Sequence, residues 1–504
     1  MSSRGKKVIF GFLFRNFSTI LNIVISFFMM PFILRSLGDR MYGLWVLMGS
    51  FTGYLGYLDF GITSAISRFV ARAIGRRDLK EVNEIVNTSL VIYLVISALT
   101  LFITIGLIIG AGWFVLDPSD LYIVRVLLLA IGLNLAIGFP TRAVGGVIGA
   151  NLRYGISEGI VLTELILRNL LIFIFFKLGF GILALGFIVC GVSIFTYVLW
   201  VYFAFYVQKD MTINMRLFNK RKVKELFSYS IYTFISKLSE IFLYRLDPFV
   251  ITAFVGLAPV AHYSIGVVLL GYFANLIHRS TELINPVFSQ DEGKGDHGGI
   301  SYKFFVTSRL AMYAAIFIGA MLFLYGKDFI FRWMGADYYD SYIVMAVLLF
   351  SVVLSWTQTP LRSLLYSISK HRFLAFTSII EGVANLILSV IFVQRFGIVG
   401  VAMGTAIPMA FVRLFVHPPY ACRVLNIEKR SYYVDLLGKG FVIGILGILP
   451  VYVVLKNYIY PDYLRLIILG SLQAVVYGIV IYFFGFKKDE KNYLLGFIRK
   501  RRHP

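Results

Sequence analysis

The chain has 504 residues, of which 59% are hydrophobic and only 15% are charged, and its formal net charge is +22. Soluble domains carry about 25% charged residues, so this composition excludes an ordinary soluble protein and predicts a polytopic membrane protein. The positive charge does not indicate nucleic acid, because the sequence has no compact basic domain with a recognisable reading element.

Apolar runs of about 20 residues, the length that spans a bilayer, recur along the whole chain. The first of them is longer than the core of a signal peptide and is expected to be retained. We predict an all-α fold with about fourteen transmembrane helices, at residues 9–34, 42–67, 85–110, 121–149, 156–177, 181–207, 226–254, 258–288, 304–325, 341–368, 373–394, 398–417, 436–455 and 463–485.

The distribution of Lys and Arg predicts the orientation in the membrane. With the N-terminus inside, about thirty of these residues fall in cytoplasmic segments and about seven on the other side, the bias that the positive-inside rule describes. Both termini are therefore expected in the cytoplasm, and most of the positive charge reflects topology. The strip Arg68, Arg72 and Arg76 at the end of the second helix is explained in the same way.

The loops leave little room for other chemistry. The longest connections, residues 208–225 and 290–303, are too short for a soluble domain, and no GxxxxGK[ST] phosphate loop occurs. Neither the two cysteines nor the six histidines have metal-ligand spacing. We therefore expect no cofactor, no metal and no enzyme activity, and interpret the chain as a transporter.

Ionisable residues inside predicted helices point to a polar interior. Each would cost at least about 2.5–3.5 kcal/mol at the bilayer centre, so such residues normally face a bundle interior or a wet cavity. The sequence places there Asp59, Arg125, Arg142, Glu164, Arg168, Lys237, Glu240, Arg245, Asp247, Arg279, Glu282, Arg362, Glu381 and Arg413.

Helical spacing groups several of these residues on single faces. The longest polar stripe is in the seventh span: Ser230, Thr233, Lys237, Glu240, Tyr244 and Asp247. Similar stripes contain Arg15, His278 with Arg279 and Glu282, Ser355 with Thr359 and Arg362, and Glu381 with Asn385 and Ser389. A shared central cavity is the simplest destination for these faces.

Some pairs have a purely structural alternative. Lys237 and Glu240 can neutralise each other within one helix, and Glu164 and Arg168 stand at i,i+4 and form a local pair at least as readily as a site. Asp59 is either a polar tie between helices, a partner for an arginine on a neighbouring helix, or a coupling acid.

A cationic cavity without nucleotide hydrolysis favours an anionic substrate, because the arginine fork binds oxyanions through paired hydrogen bonds. The predicted substrate-binding residues are Arg15, Arg142, Lys237, Arg279 and Arg362. The acids able to carry ion or proton coupling are Asp59, Glu240, Asp247, Glu282 and Glu381.

The chain shows a faint internal repeat. Each six-helix half has an apolar helix that reaches a small-residue turn, with Gly38 in one and Gly256 in the other, and a Tyr then opens the next helix. Repeats of this kind build the two lobes of many secondary transporters. The predicted division is an N-terminal lobe at 1–207, a basic cytoplasmic linker at 208–225 and a C-terminal lobe at 226–424.

The run FRNFSTILNIVISFFMMPFILRSLGDRMYGLWVLMGSFTGYLGYLDFG resembles the N-terminal signature of Wzx-type polysaccharide flippases. These belong to the superfamily that also contains the multidrug and toxic compound extrusion (MATE) transporters. The matching elements are Leu37-Gly38, Tyr42-Gly43 and LDFG at 58–61 before a basic loop. The resemblance implies a MATE-like fold in which residues 425–504 add a helix pair and a basic tail to the two lobes.

The resemblance also implies a function. It is translocation of undecaprenyl-pyrophosphate-linked oligosaccharide across the bacterial cytoplasmic membrane by alternating access, coupled to an ion or proton gradient. The implied partners are that substrate, membrane lipids and the polymerase and assembly proteins of a surface polysaccharide, with no nucleic acid. Two alternatives stay open: a cation-coupled multidrug exporter of the same superfamily, and a membrane glycosyl or acyl transferase using Asp328, Asp337 and Asp340 of the outer loop.

Overall fold

The computed structural model describes residues 3–114, 117–244, 246–282, 285–368, 370, 372–456 and 462–492. All regular structure in these ranges is helical. The α-helices are α1 Ser3–Gly56, α2 Ile62–Arg76, α3 Leu79–Ile109, α4 Ala111–Phe114, α5 Leu121–Ala150, α6 Tyr154–Lys177, α7 Ile182–Val207, α8 Lys220–Tyr244, α9 Asp247–Phe254, α10 Ala258–Glu282, α11 Asn285–Lys294, α12 His297–Trp333, α13 Tyr339–Thr357, α14 Thr359–Ser367, α15 Arg372–Phe411, α16 His417–Leu425, α17 Lys439–Leu455 and α18 Tyr463–Val480.

Within the described residues, eleven helical segments are long and apolar enough to cross a membrane. Two of them, Phe14–Arg76 and Arg372–Leu425, have 63 and 54 residues, more than twice the roughly 20 residues that one crossing needs. Each contains a glycine with non-helical backbone angles, Gly38 and Gly397. These breaks fall in the gaps between predicted spans at 34–42 and 394–398, while the count of fourteen spans stays a prediction.

The break at Gly397 folds α15 back on itself. A Cβ on Gly404 would lie 2.6 Å from the Cα of Ser389, and a Cβ on Gly400 would lie 2.3 Å from the carbonyl oxygen of Phe392. The two halves of α15 are therefore antiparallel neighbours, and the missing side chains allow their backbones to approach closely.

The chain forms two compact units, Met1–Ala261 and His262–Pro504. The core of the first unit lies among α2, α3 and α5, where Ile66, Val86, Phe139 and Val147 are completely buried. Close packing of α2 on α5 requires Gly146, because a Cβ there would lie 2.7 Å from the Ile66 side chain.

The segment predicted as the linker is held on the N-terminal part of α3 by side chains. The amide of Asn87 donates to the carbonyl oxygen of Thr212 at 2.8 Å and accepts from the backbone N–H of Asn214 at 2.7 Å. Lys222 pairs with Glu81 at 2.8 Å. The linker and the following helices α8 and α9 thus belong to the first compact unit, and the predicted four-part division of the chain remains untested.

In the second unit, α17 and α18 pack on α12. The guanidinium of Arg309 on α12 lies 2.5 and 2.6 Å from the two carboxylate oxygens of Glu490, both side chains being buried. Tyr477 on α18 donates to the carbonyl oxygen of Tyr313 at 2.8 Å. A buried ion pair and a buried hydrogen bond therefore fix the C-terminal helices on this unit.

Candidate functional site

The LDFG sequence at 58–61 breaks the predicted second span. A short 3₁₀ turn follows α1 at Tyr57–Asp59, and Phe60 and Gly61 then take φ values of 49° and 77°. Positive φ is easy for glycine and uncommon for phenylalanine. The turn removes the carboxylate of Asp59 from the face of a regular helix and directs it into the core, where the residue is 3% exposed.

Three side chains satisfy this buried carboxylate. Asp59 Oδ1 accepts hydrogen bonds of 2.6 Å from the hydroxyls of Thr63 and Tyr93, and lies 3.5 Å from a guanidinium nitrogen of Arg142. A buried charge is tolerated only when it is paired and hydrogen-bonded. The structure shows two of the alternatives that the sequence left open for Asp59: a polar tie between helices, and a partner for an arginine on a neighbouring helix. The coupling role stays a prediction.

Arg142 lies on α5, with 35% of its side chain exposed. Its guanidinium carbon stands 4.7 Å from the ring centroid of the fully buried Phe139, a cation–π distance. The ion pair and the ring hold one side of the guanidinium in place. Since a guanidinium has five N–H donors in a fixed fork, the exposed side of Arg142 can bind an oxyanion without losing this support.

The second unit contains a more deeply buried ion pair. Glu381 in the first half of α15 is 1% exposed, and Arg413 beyond α15 is 3% exposed. The contacts are fork-like, with nitrogen to oxygen distances of 3.0 and 3.4 Å, the geometry typical of strong arginine–carboxylate pairs. Arg413 Nε also lies 3.5 Å from the hydroxyl of Ser355 on α13.

A local change of helix type presents Arg413 to Glu381. Residues Val412–Val416 form a π-helical turn four residues after Pro408, and such bulges are frequent at functional sites. The turn is followed by His417, whose ring lies 3.2 Å from both Thr377 and Gln358. Further along α15, the hydroxyl of Ser389 donates to the side-chain oxygen of Asn385 at 2.8 Å.

The structure thus separates the predicted site residues into different settings. Asp59 and Arg142 are together in the first unit, whereas Glu381 is buried against Arg413 rather than in a wet cavity. Arg362 on α14 is half-buried, within electrostatic range of Glu381 and His417.

The remaining predicted residues lie elsewhere. Arg15 is exposed on α1, and Asp247 is buried in the first turn of α9. The side chains of the other predicted residues lie outside the described part of the structure: Lys237, Glu240, Arg279 and Glu282.

Sequence reasoning did not assign roles to several members of these networks. Thr63 could have been found, because it follows Asp59 by four residues. Arg413 is one of the ionisable residues inside the predicted helices, but the sequence did not assign it to the site. Tyr93 and His417 carry no local signal, because their partners are 34 and 40 residues away in the chain. Among the residues that the structure describes, no group of three or more His, Cys, Asp or Glu could hold a metal ion.

Comparison with known proteins identifies the family. Residues 11–291, more than half of the chain, match the family of polysaccharide biosynthesis proteins. The chain is 20% identical over 433 residues to a membrane protein of Bacillus subtilis (strain 168) called EpsK, described as uncharacterized, and the match covers 83% of this chain and 84% of EpsK.

Solved structures show the fold. An inward-facing MATE-family multidrug resistance transporter matches with a TM-score of 0.70 and 16% identity, over 81% of this chain and 98% of the transporter. The lipid II flippase MurJ, in an inward closed conformation, matches with a TM-score of 0.70 and 14% identity, over 94% of this chain and 99% of MurJ. The chain has the MATE-like fold of multi-pass membrane transporters, as the sequence predicted, and it belongs to the polysaccharide biosynthesis protein family.

Proposed function

We propose that this protein is a flippase that translocates undecaprenyl-pyrophosphate-linked oligosaccharide across the bacterial cytoplasmic membrane. The observation that carries the proposal is the setting of Arg142, a guanidinium inside a membrane-spanning helix that is held by buried Asp59 and remains about one-third exposed. Membership of the polysaccharide biosynthesis family and the MurJ-like fold support the same substrate class.

The chemistry of this setting suits a pyrophosphate. A guanidinium presents paired N–H donors that match two phosphate oxygens, and it stays charged at any physiological pH. Asp59 and Phe139 hold the fork in place before the substrate arrives, which lowers the ordering cost of binding. Coupling to an ion gradient through Asp59 is part of the proposal.

Transport of fluorescently labelled undecaprenyl-pyrophosphate oligosaccharide in liposomes tests the proposal. Loss of one charge-assisted hydrogen bond costs about 1.5–3 kcal/mol, so Arg142→Ala is expected to slow flipping by at least about tenfold. Arg142→Lys keeps the charge but not the fork and is expected to recover only part of the rate.

Arg125→Ala is the matched control. Arg125 lies on the same helix α5 with an exposed side chain, and Arg125 Nε donates to the carbonyl oxygen of Ile108 at 3.3 Å. The control removes the same charge away from the Asp59 network and is expected to leave the rate unchanged. Equal rates in Arg142→Ala and the wild type would contradict the role given to Arg142.

A gene deletion separates the flippase from the multidrug exporter, and a triple substitution tests the membrane transferase. The flippase predicts loss of surface polysaccharide and accumulation of lipid-linked oligosaccharide on the inner leaflet. A multidrug exporter predicts intact polysaccharide and increased drug sensitivity. A membrane transferase predicts that replacing Asp328, Asp337 and Asp340 together abolishes function; the structure gives Asp340 a structural use, since it lies 2.7 Å from His262 and accepts from the N–H of Ser341 at the start of α13.

A further inference from the structure

Tyr93 on α3 contacts both groups that support Arg142. Its hydroxyl donates to Asp59 Oδ1 at 2.6 Å, and the same oxygen lies 3.5 Å from a guanidinium nitrogen of Arg142. Its ring stacks on Phe139, with the centroids 6.1 Å apart and the planes inclined by 14°. The guanidinium carbon of Arg142 stands 4.7 Å from the Phe139 centroid, and both separations are within the range of favourable aromatic and cation–π contacts. The four side chains therefore form a closed circuit of contacts.

Three donors converge on one oxygen of Asp59. A carboxylate oxygen has about two lone-pair sites, and the hydroxyls of Thr63 and Tyr93 reach this oxygen at 2.6 Å each, the distance of strong O–H···O⁻ bonds. The two hydroxyl oxygens are 2.9 Å apart, so they approach the carboxylate from neighbouring directions. The hydroxyl groups therefore fill the lone-pair sites of Asp59 Oδ1 before Arg142 is considered.

The contact of Arg142 with this oxygen is accordingly long. Charge-assisted N⁺–H···O⁻ bonds measure about 2.7–2.9 Å, whereas the Arg142 contact measures 3.5 Å. The other arginine–carboxylate pair, Arg413 with Glu381, has two contacts at 3.0 and 3.4 Å. Asp59 thus attracts the guanidinium by its charge and holds it nearby, while it does not fully engage the N–H donors.

We propose that Tyr93 is a positioning residue that keeps Arg142 available to the pyrophosphate. Its hydroxyl prevents Arg142 from closing onto Asp59, and its ring supports Phe139 beside the guanidinium. Tyr93 is 0% exposed, so it acts through these two residues and not by touching the substrate. The inference rests on the proposed function and adds a regulation of the same site, in which buried hydroxyl groups set the strength of the Asp59–Arg142 pair.

Tyr93→Phe tests the hydroxyl separately from the ring, because phenylalanine keeps the stack on Phe139. A freed lone-pair site on Asp59 then accepts from Arg142, and pyrophosphate binding has to break that charge-assisted hydrogen bond. We expect the affinity of the purified full chain for inorganic pyrophosphate, measured by isothermal titration calorimetry, to fall at least about tenfold. Thr63→Val removes the second hydroxyl from the same oxygen and is expected to weaken binding as well.

Tyr477→Phe is the matched control. Tyr477 is also a buried tyrosine, 6% exposed, but its hydroxyl donates to the carbonyl oxygen of Tyr313. The control loses the same atom away from Asp59 and is expected to bind pyrophosphate as the wild type does. Thermal unfolding shows whether each variant is folded in the titration. Undiminished affinity in folded Tyr93→Phe overturns the inference, and Thr63→Val carries the same test if Tyr93→Phe does not fold.

A double-mutant cycle separates the positioning role from a loss of packing. The amide in Asp59→Asn has no charge to attract Arg142, so Tyr93→Phe should change the affinity by less than about twofold in that background. An equal loss of affinity with and without the Asp59 charge overturns the inference, because the effect of Tyr93 would then not pass through the ion pair.

Liposome transport separates this inference from the proposed function. Pyrophosphate binding that depends on Tyr93, without any flipping of the oligosaccharide by the wild type, refutes the proposed function and leaves the role of Tyr93 standing. Flipping by the wild type together with unchanged pyrophosphate affinity in Tyr93→Phe refutes the role of Tyr93 alone. A wild type that flips the oligosaccharide but does not bind pyrophosphate also refutes it.

Discussion

Replacing Arg413 is the perturbation whose size the structure defines best. Glu381 and Arg413 are 1% and 3% exposed and are joined by two nitrogen to oxygen contacts. Removing one partner of a buried pair leaves an uncompensated charge, which costs about 3–5 kcal/mol. Arg413→Met keeps the length of the side chain but removes the charge, so we expect a loss of unfolding free energy of that size.

Removing both charges has a different expected result. Replacing a buried ion pair by apolar residues of similar volume is often neutral or stabilising by about 1–4 kcal/mol. The double variant Glu381→Leu/Arg413→Met should therefore recover most of the stability that the single variant loses. The control Arg423→Met removes an exposed arginine on α16, and we expect it to stay within about 0.5 kcal/mol of the wild type.

Denaturant titration of the purified protein in detergent measures these free energies, and liposome transport measures function. A purely structural pair predicts that the double variant recovers both stability and transport. A coupling role for Glu381 predicts that the double variant is stable but does not transport. The reasoning is refuted if Arg413→Met costs less than about 1 kcal/mol, or if the two single changes add without coupling.

Two further predictions concern the first unit. Gly43→Ala places a methyl group 1.9 Å from the carbonyl oxygen of Leu257, so we expect it to lower the free energy of unfolding by about 1–3 kcal/mol. The control Gly49→Ala meets nothing within 4 Å and should leave the free energy of unfolding unchanged. Equal thermal midpoints of the two variants would contradict the close packing at Gly43. Hydrogen bonds from Ser119 and the charge of Arg40 lower the pKa of Asp117 from 3.8 to about 2. The stability that this carboxylate contributes is present above its ordinary pKa and is lost as the pH falls through about 2, and Ser119→Ala should raise the pKa, measured by carboxyl carbon shifts.

The sequence predicted the positions where the long helices break more reliably than the partners of their charges. Gly38 and Gly397 fall between predicted spans, and both have positive φ in the structure, a conformation that few other residues adopt at low cost. The tenth predicted span, 341–368, proved to be two helices that separate at Gln358, just before Pro360. Proline removes a helical hydrogen bond, so this break also has a local cause.

Partners of the charges depend on contacts that no local pattern encodes. Asp59 and Arg142 are 83 residues apart in the sequence, and Glu381 and Arg413 are 32 residues apart. The polar stripe of Glu381, Asn385 and Ser389 was predicted correctly as one face of a helix. Its burial against the second half of α15 depends on how two helices are rotated about their axes, which periodicity alone cannot specify.

The sequence by itself determined that this is a helical membrane protein. Its apolar runs have the length of membrane-spanning helices, and a helix hydrogen-bonds its backbone N–H and C=O groups within the segment itself. Its short motifs also determined the family. Only the tertiary structure decided which charges are neutralised inside the protein and which remain exposed. Neutralisation requires side chains from distant helices to approach within a few ångströms, and that approach is set by packing over the whole unit.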